Sequence, residues 1–354
     1  MVKFVPTMSI LDHFLNTPRY QPWEKWQKHL DAVPIVWKRS QIGTSVEGRP
    51  LWIYRLGDGP VTHLAWAQMH GNEPTATWSL LEIMSRVKSF PSDQCWAIFP
   101  VVNPDGAHRF ERFNAHGVDL NRDAKERTQP ESRALWNWIQ SEKPQSAFNL
   151  HDQRSWFGIP ESSQPATFSV LSARANSEGV DTPATQQARG IAGGLALWFD
   201  QNTNLPTTTF DDAFYPGAFG ENVQASGIPV VLVESGSHPS GYNRSQQAQW
   251  LTDALIHTWS TGLTNEGHYK SLKQAETGRY DLVVRNWPVS DSMNTNVAFT
   301  AIEIVEEGVS HLFWEVAEIG ARTDLVAPFV LDCSGNSIHP ISLGDRMKHL
   351  PISQ

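Results

Sequence analysis

Residues 63–77 read H-L-A-W-A-Q-M-H-G-N-E-P-T-A-T. The apolar run His63–Ala67 has the make-up of a buried strand, and Thr75 to Lys88 has helical periodicity, with Trp78, Leu81, Ile83 and Met84 among its apolar residues. Between them, His70 and Glu73 stand three residues apart in a short polar turn. One imidazole and one carboxylate at that spacing can reach a single zinc ion. A catalytic zinc site takes three protein ligands and leaves a fourth position for water. Strand, turn and helix in this order form the repeating unit of an α/β sheet, whose clefts open at strand ends.

Reading outward from this unit, Val33–Trp37 and Leu51–Leu56 precede it as short β-like runs, parted by G-T-S-V-E-G-R-P and G-D-G-P turns. Ile10 to Leu30 has a helical pattern that places Trp23, Trp26 and Leu30 on one face. Downstream come a strand from Gln94 to Val102, ending in the turn Asn103-Pro104-Asp105-Gly106, and a helix over Glu131–Ser141. Strand Ser146–Leu150, helix Thr185–Asn202, helix Gly220–Ala225, strand Ile228–Val233 and helix Gln246–Trp259 follow. This alternation predicts an α/β fold with a mixed, largely parallel sheet and helices on both faces. From Tyr280 the runs Y-D-L-V-V-R-N-W, V-A-F-T-A-I-E-I-V, H-L-F-W-E-V-A-E-I and P-F-V-L-D-C have no helix between them. They predict a small, sandwich-like all-β C-terminal domain over 270–354. The larger domain then spans 1–265, with a helical N-terminal extension in 1–40.

With 354 residues the chain can bury a large core. Its formal net charge of -9 speaks against a nucleic-acid partner, which needs a basic face. No run approaches the roughly 20 apolar residues of a membrane span, and Pro6 and Asp12 interrupt the N-terminus where a signal segment would be apolar. Cys95 and Cys333 lie too far apart in sequence to imply a disulfide framework. A cytoplasmic enzyme is the expectation, with oligomeric state left open. The 15 tryptophans read as core packing rather than as an aromatic binding cleft.

Four motifs fall at the ends of predicted strands: H-G-N-E at 70–73; V-N-P-D-G-A-H-R-F-E-R-F-N-A-H-G-V-D-L-N-R-D at 102–123; F-N-L-H-D-Q around His151; and V-V-L-V-E-S-G around Glu234. In this order, over roughly residues 40 to 260, they resemble the M14 family of zinc carboxypeptidases. The resemblance implies that His70, Glu73 and His151 bind one Zn²⁺ with water in the open position. Such a metal would keep net positive charge, polarising a scissile carbonyl and lowering the pKa of bound water. The resemblance further implies Glu234 as the general base and Arg112 as the cation facing the oxyanion, although Arg109 is a near neighbour that could serve instead. It implies Asn121 and Arg122 as the clamp on a substrate carboxylate, and Asp119 as the carboxylate orienting His70 through its other ring nitrogen. Tyr215, in F-D-D-A-F-Y-P-G, is the nearest candidate to close over a bound substrate.

The chain departs from the digestive members at Asp123, where they continue N-R-N, and at Asp152-Gln153, where they have Ser-Tyr. Asp152 could add negative charge beside the metal and so disfavour acidic substrates. The implied activity is zinc-dependent hydrolysis of an amide bond next to a free carboxylate in small peptides. The G-V-D-L-N-R segment is also similar to murein peptide amidases. A rival is an N-acyl amino acid deacylase of the aspartoacylase or succinylglutamate desuccinylase type, which shares H-G-N-E and D-L-N-R; N-P-D-G and E-S-G favour the peptidase. A rival of another class is an inactive binding module of the same fold.

Overall fold

The computed structural model describes residues 19–162, 164–238, 244–277, 280–290, 293–320, 327, 329–333 and 341–348. Strands β1 (Lys38–Thr44), β2 (Pro50–Leu56), β3 (Val61–Ala67), β4 (Gln94–Phe99), β5 (Ser146–Asp152), β6 (Phe168–Ser172), β7 (Thr208–Thr209) and β8 (Val230–Ser235) form one sheet. Their order is β1-β2-β4-β3-β5-β8-β6-β7. The central strands β4, β3, β5 and β8 run parallel, while β1, β2 and β6 join antiparallel. Parallel strands covered on both faces are buried along their length, as every residue of β5 is, so its polar residues Asn149, His151 and Asp152 sit within the protein rather than in solvent.

The helices are α1 (Trp23–Asp31), α2 (Thr75–Arg86), α3 (Pro104–Arg109), α4 (Pro130–Glu142), α5 (Pro183–Thr203), α6 (Phe219–Ala225), α7 (Ser245–Thr261) and α8 (Glu266–Ser271). Alternation along β3 shows how they are divided. Ala65 and Ala67 face a core built with Trp26, Trp78, Phe199, Leu251 and Trp259, whereas Leu64 and Trp66 face one built with Leu135, Ile139, Phe219 and Val223. Each buried leucine, isoleucine, valine or phenylalanine among them contributes about 1.5–3 kcal/mol by leaving water, and the alanines less. The tryptophans behave as core residues: Trp26, Trp66, Trp78, Trp96 and Trp287 are all fully buried. Both cysteines are buried and unbridged. No described helix is long and apolar enough to cross a membrane.

Beyond α8, strands β9 (Leu282–Ser290), β10 (Met293–Glu306), β11 (Val309–Gly320), β12 (Phe329–Asp332) and β13 (Arg346–Met347) form a second, all-β sheet in the order β12-β9-β10-β11-β13. Val284, Trp287, Val297, Phe299 and Val316 cluster together, and Val283, Ala298 and Ala327 form a smaller cluster. Among the described residues this is one five-stranded sheet rather than the two facing sheets of a sandwich.

Several local expectations are corrected. The first strand is not Val33–Trp37 but β1, immediately after it: Ile35 is 98% exposed, and Trp37 turns inward to donate its indole N–H to Val87 O at 3.1 Å. The first described helix runs from Trp23, with Pro22 in extended conformation (ψ 156°) just before it, and buries the expected face of Trp23, Trp26 and Leu30; the part of the expected helix before residue 19 lies outside the described residues. N-P-D-G is not a bare turn. It starts α3, with the Asn103 side chain accepting from Gly106 N at 2.9 Å.

His63, on β3, carries a consequence for stability. Its ring stacks on Trp96 at 4.6 Å, its Nδ1 lies 2.8 Å from Ser146 Oγ, and burial pushes its pKa down from 6.5 to about 4. Between those pH values the unfolded chain binds a proton that the folded chain refuses. Stability is therefore untouched above 6.5 and falls as pH drops towards 4, by up to about 3 kcal/mol. Urea unfolding at pH 7.5 and pH 5 should show this drop in the wild-type protein and a smaller one in His63→Gln. An equal drop in both would remove His63 as the cause.

Candidate metal centre

The C-terminal ends of β3, β5 and β8 lie side by side, and register sets what they carry. β5 pairs with β3 as far as Leu150↔Ala67, and with β8 through His151↔Glu234. His70 and Glu73 follow β3 in a tight turn entered through Gln68 at φ 51°. Gly71 allows that turn to abut α3: a Cβ there would lie 2.0 Å from the Gly106 carbonyl carbon. Asn103 fastens the two segments, donating its backbone N–H to Gln68 O at 3.0 Å and its side-chain amide to Met69 O at 3.2 Å. Asp105 of the same motif is turned away, accepting from Ser45 Oγ and Glu47 N.

His70, Glu73 and His151 converge, each 3% exposed. His70 Nδ1 lies 2.8 Å from Glu73 Oε1, and His151 Nδ1 lies 2.8 Å from Glu73 Oε2. One potential ligand atom from each residue falls within 4.8 Å of the others, making this a group able to hold a metal ion. The donor set fits zinc, which binds imidazole nitrogen and carboxylate oxygen. The far nitrogen of His70 is also held, with Nε2 3.1 Å from Asp119 Oδ1, as the outer partner of a metal-binding histidine should be.

The charges are strongly coupled. Burial works against the ionised form of Glu73, but His70 and His151 outweigh it and hold the carboxyl well below its ordinary range. Burial likewise opposes protonation of His70, yet Glu73 and Asp119 raise its pKa; for His151 burial wins and lowers it. Asp119 is desolvated too, but His70 and Arg112 keep it far below the usual carboxylate range. Glu234 moves the other way. Burial, then the neighbouring charges of Glu73 and Asp152, push its carboxyl well above normal.

A cavity of about 260 Å³ opens onto this cluster. Glu234, Arg112, Asn121, Arg122 and Tyr215 all line it. Arg112 donates its Nε to Asp119 Oδ2 at 3.0 Å and brings Nη1 to 3.6 Å from Glu73 Oε1. Arg109 is instead committed to Glu47, which leaves Arg112 as the arginine at the cluster. Asp119 caps the one-turn 3₁₀ helix Leu120–Arg122, accepting from Asn121 N at 2.8 Å, and so orients both neighbours. Asn121 Oδ1 accepts from Phe219 N, leaving its Nδ2 at 3.5 Å from His151 Nε2. Arg122 is not paired with Asp123, whose carboxylate accepts from Thr128 and Gln129; its guanidinium lies 4.6 Å over the Tyr215 ring. Tyr215 is 42% exposed at the cavity.

The expectation for Asp152 needs adjusting. Its Oδ2 accepts from Arg19 at 2.9 Å and from Thr75 Oγ1 at 2.7 Å, so Arg19 offsets part of its charge, while Asp152 still lines the cavity and acts on Glu234. The cavity also takes in Arg154, Glu221, Leu171 and Leu232, none of which the sequence reading singled out. Arg154 sits three residues beyond His151, a spacing that carries no periodic signal past a strand end. Glu221 could have been noticed as a lone acid at the start of a short apolar helix; burial raises its pKa.

A family model described as zinc carboxypeptidase (peptidase M14) matches residues 23–204, a span holding His70, Glu73, Arg112, Asp119, Asn121, Arg122 and His151 but not Tyr215 or Glu234. Carboxypeptidase M of Mus musculus is 32% identical over 184 residues, covering 42% of this chain and 40% of that protein. Carboxypeptidase SOL1 of Arabidopsis thaliana is 31% identical over 136 residues, covering 31% of this chain and 28% of that protein. The chain thus spans well under half the length of these curated relatives. Among solved structures, a metallo-carboxypeptidase from Burkholderia cenocepacia aligns with a TM-score of 0.52 at 19% identity, over 67% of this chain and 68% of that one, a likeness of fold.

Proposed function

Because the chain belongs to the zinc carboxypeptidase family, peptidase M14, we propose that it hydrolyses the amide bond next to a free carboxylate in small peptides. The observation that carries this reading is the pairing of Glu234 with His151 across β5 and β8, which puts a carboxylate of raised pKa beside the metal-binding cluster. Zinc held by His70, Glu73 and His151 would polarise the scissile carbonyl and lower the pKa of a bound water. Glu234 would accept a proton from the attacking water and deliver it to the leaving amine. Arg112, anchored on Asp119, faces the negative charge that develops on the carbonyl oxygen. Asn121 and Arg122 receive the terminal carboxylate, and Tyr215 closes the cavity over it.

A release assay tests the reading. Zinc-loaded protein should free C-terminal amino acids from a panel of peptides that includes basic, apolar and acidic ends as well as γ-linked and D-amino acids. Glu221 in the cavity makes basic ends the first to try. Acetate or succinate released from N-acyl amino acids, without peptide cleavage, would replace this reading with the deacylase one. The clamp has its own test. Arg122→Ala should lower kcat/KM about 10- to 100-fold on peptides with a free terminal carboxylate, the value of a charge-assisted hydrogen bond, and hardly at all on their amides. Equal losses on both substrates would take Arg122 out of carboxylate binding.

A further inference from the structure

Among the described residues, Glu303 links the C-terminal sheet to the cleft. Glu303 lies on β10 with its side chain 8% exposed, and its Oε2 accepts from Arg19 Nη1 at 2.8 Å and from Arg154 Nη1 at 3.0 Å. Burial opposes its charge, but the guanidinium groups of Arg19 and Arg154, joined by that of Arg244, outweigh burial and lower its pKa. Arg19 continues inward through Nη2 to Asp152 Oδ2 at 2.9 Å. That oxygen also accepts from the backbone N–H and the hydroxyl of Thr75, the first residue of α2 and the second after Glu73. Asp152 follows His151 directly, and its own N–H donates to Glu73 Oε2 at 3.2 Å. An unbroken run of ion pairs and hydrogen bonds therefore joins the second sheet to both segments that supply the metal-binding cluster.

The other branch ends in the cavity. Arg154 lines it together with His70, His151 and Glu234, and its guanidinium lies 5.3 Å from the Phe110 ring. Among the described residues Arg154 makes one ion pair, to Glu303 through Nη1, which leaves Nε and Nη2 for a ligand. Within this group Arg19 and Arg154 face Asp152 and Glu303, with Arg244 also acting on Glu303; Arg154 is the most exposed of the ion-paired four, its side chain at 22%. Removing one partner from such a group leaves an uncompensated buried charge, which its neighbours must move to relieve.

We propose that Glu303 is a positioning residue of the cleft: it aims Arg154 into the cavity as a donor for a bound peptide and, through Arg19 and Asp152, holds the His151 and Glu73 segments together. The second sheet is then a working part of the site rather than an appendage. The peptide arm of this inference rests on the peptidase reading; the metal arm does not.

The test uses the full-length, zinc-loaded protein with Glu303→Gln, which removes the charge at constant shape, and Glu303→Asp, which keeps the charge. Two quantities are read: KM against kcat for a cleaved peptide, and the rate at which zinc passes to a chromophoric chelator. Glu303→Gln should raise KM about tenfold with kcat changed much less, and should speed zinc transfer about 10-fold or more, the usual effect of losing a partner behind the ligands. Glu303→Asp should recover part of both. In an Arg154→Ala background, Glu303→Gln should add little further to KM, because the two act through one group. KM and zinc transfer within twofold of wild type, even with a lowered melting temperature, would make Glu303 a plain structural tie and overturn the proposal. Full additivity with Arg154→Ala would overturn the peptide branch. Should the wild-type protein cleave no peptide, the peptidase reading fails and zinc transfer alone decides. If Glu303→Gln does not fold, Arg154→Lys for KM and Arg19→Lys for zinc transfer, which keep charge but lose the shared contact geometry on Glu303, are read against the same limits.

Discussion

Glu234→Gln is expected to keep its zinc and lose at least about 10³-fold in kcat, within the range that a positioned proton acceptor supplies. The argument rests on where the carboxyl sits. Register pairs Glu234 with His151, and it lines the cavity over the three converging side chains. Burial, Glu73 and Asp152 all disfavour its charge, so in the metal-free protein an amide in its place relieves repulsion instead of adding strain. The variant should therefore fold at least as well as the wild type, and the loss can be read as chemistry. Metal analysis together with steady-state kinetics on one peptide decides the matter. Turnover within tenfold of wild type at full zinc content would remove Glu234 from proton transfer. Loss of zinc along with activity would mean instead that the residue supports the metal.

How much of this was legible in the sequence depends on how far apart the partners lie. His70 and Glu73 share one turn, so their spacing alone identified a two-ligand candidate. The parallel core and the second sheet also followed from local pattern, because buried parallel strands and long alternating strands leave plain runs of apolar residues. The adjacency of His151 and Glu234 did not. It comes from the strand order β3-β5-β8, in which segments far apart in sequence become neighbours, and only likeness to a family of known motifs pointed to it. Edges misled most. Ile35 and Val36 look like strand residues yet are exposed, while the short strand β6 (F-S-V-L-S) went unnoticed because five residues carry little periodicity. The ion pairs made by Glu303 span 284 and 149 residues, a distance over which pattern says nothing and only packing decides.

His151→Ala is expected to abolish zinc binding at one ion per chain, and activity with it. His151 ends a strand that is buried along its whole length, so little around it can shift to supply another donor. Without its Nδ1, one oxygen of Glu73 loses the imidazole it faces at 2.8 Å, and the cluster drops from three protein ligands to two. A site with two protein ligands holds zinc far more weakly than one with three, so dialysis against metal-free buffer should empty the variant and leave the wild type loaded. Glu73 suffers as well. Its charge is sustained against burial by His70 and His151 together, so removing one leaves a buried carboxylate half compensated. The metal-free variant should therefore also be less stable than the metal-free wild type, by about 1–3 kcal/mol in denaturant unfolding. These two outcomes separate a ligand from an orienting group, because a residue that merely orients would weaken zinc binding 10–100-fold without ending it. Zinc retained at full stoichiometry after dialysis would exclude His151 from the metal centre and, with it, the assignment of His70 and Glu73 as its partners.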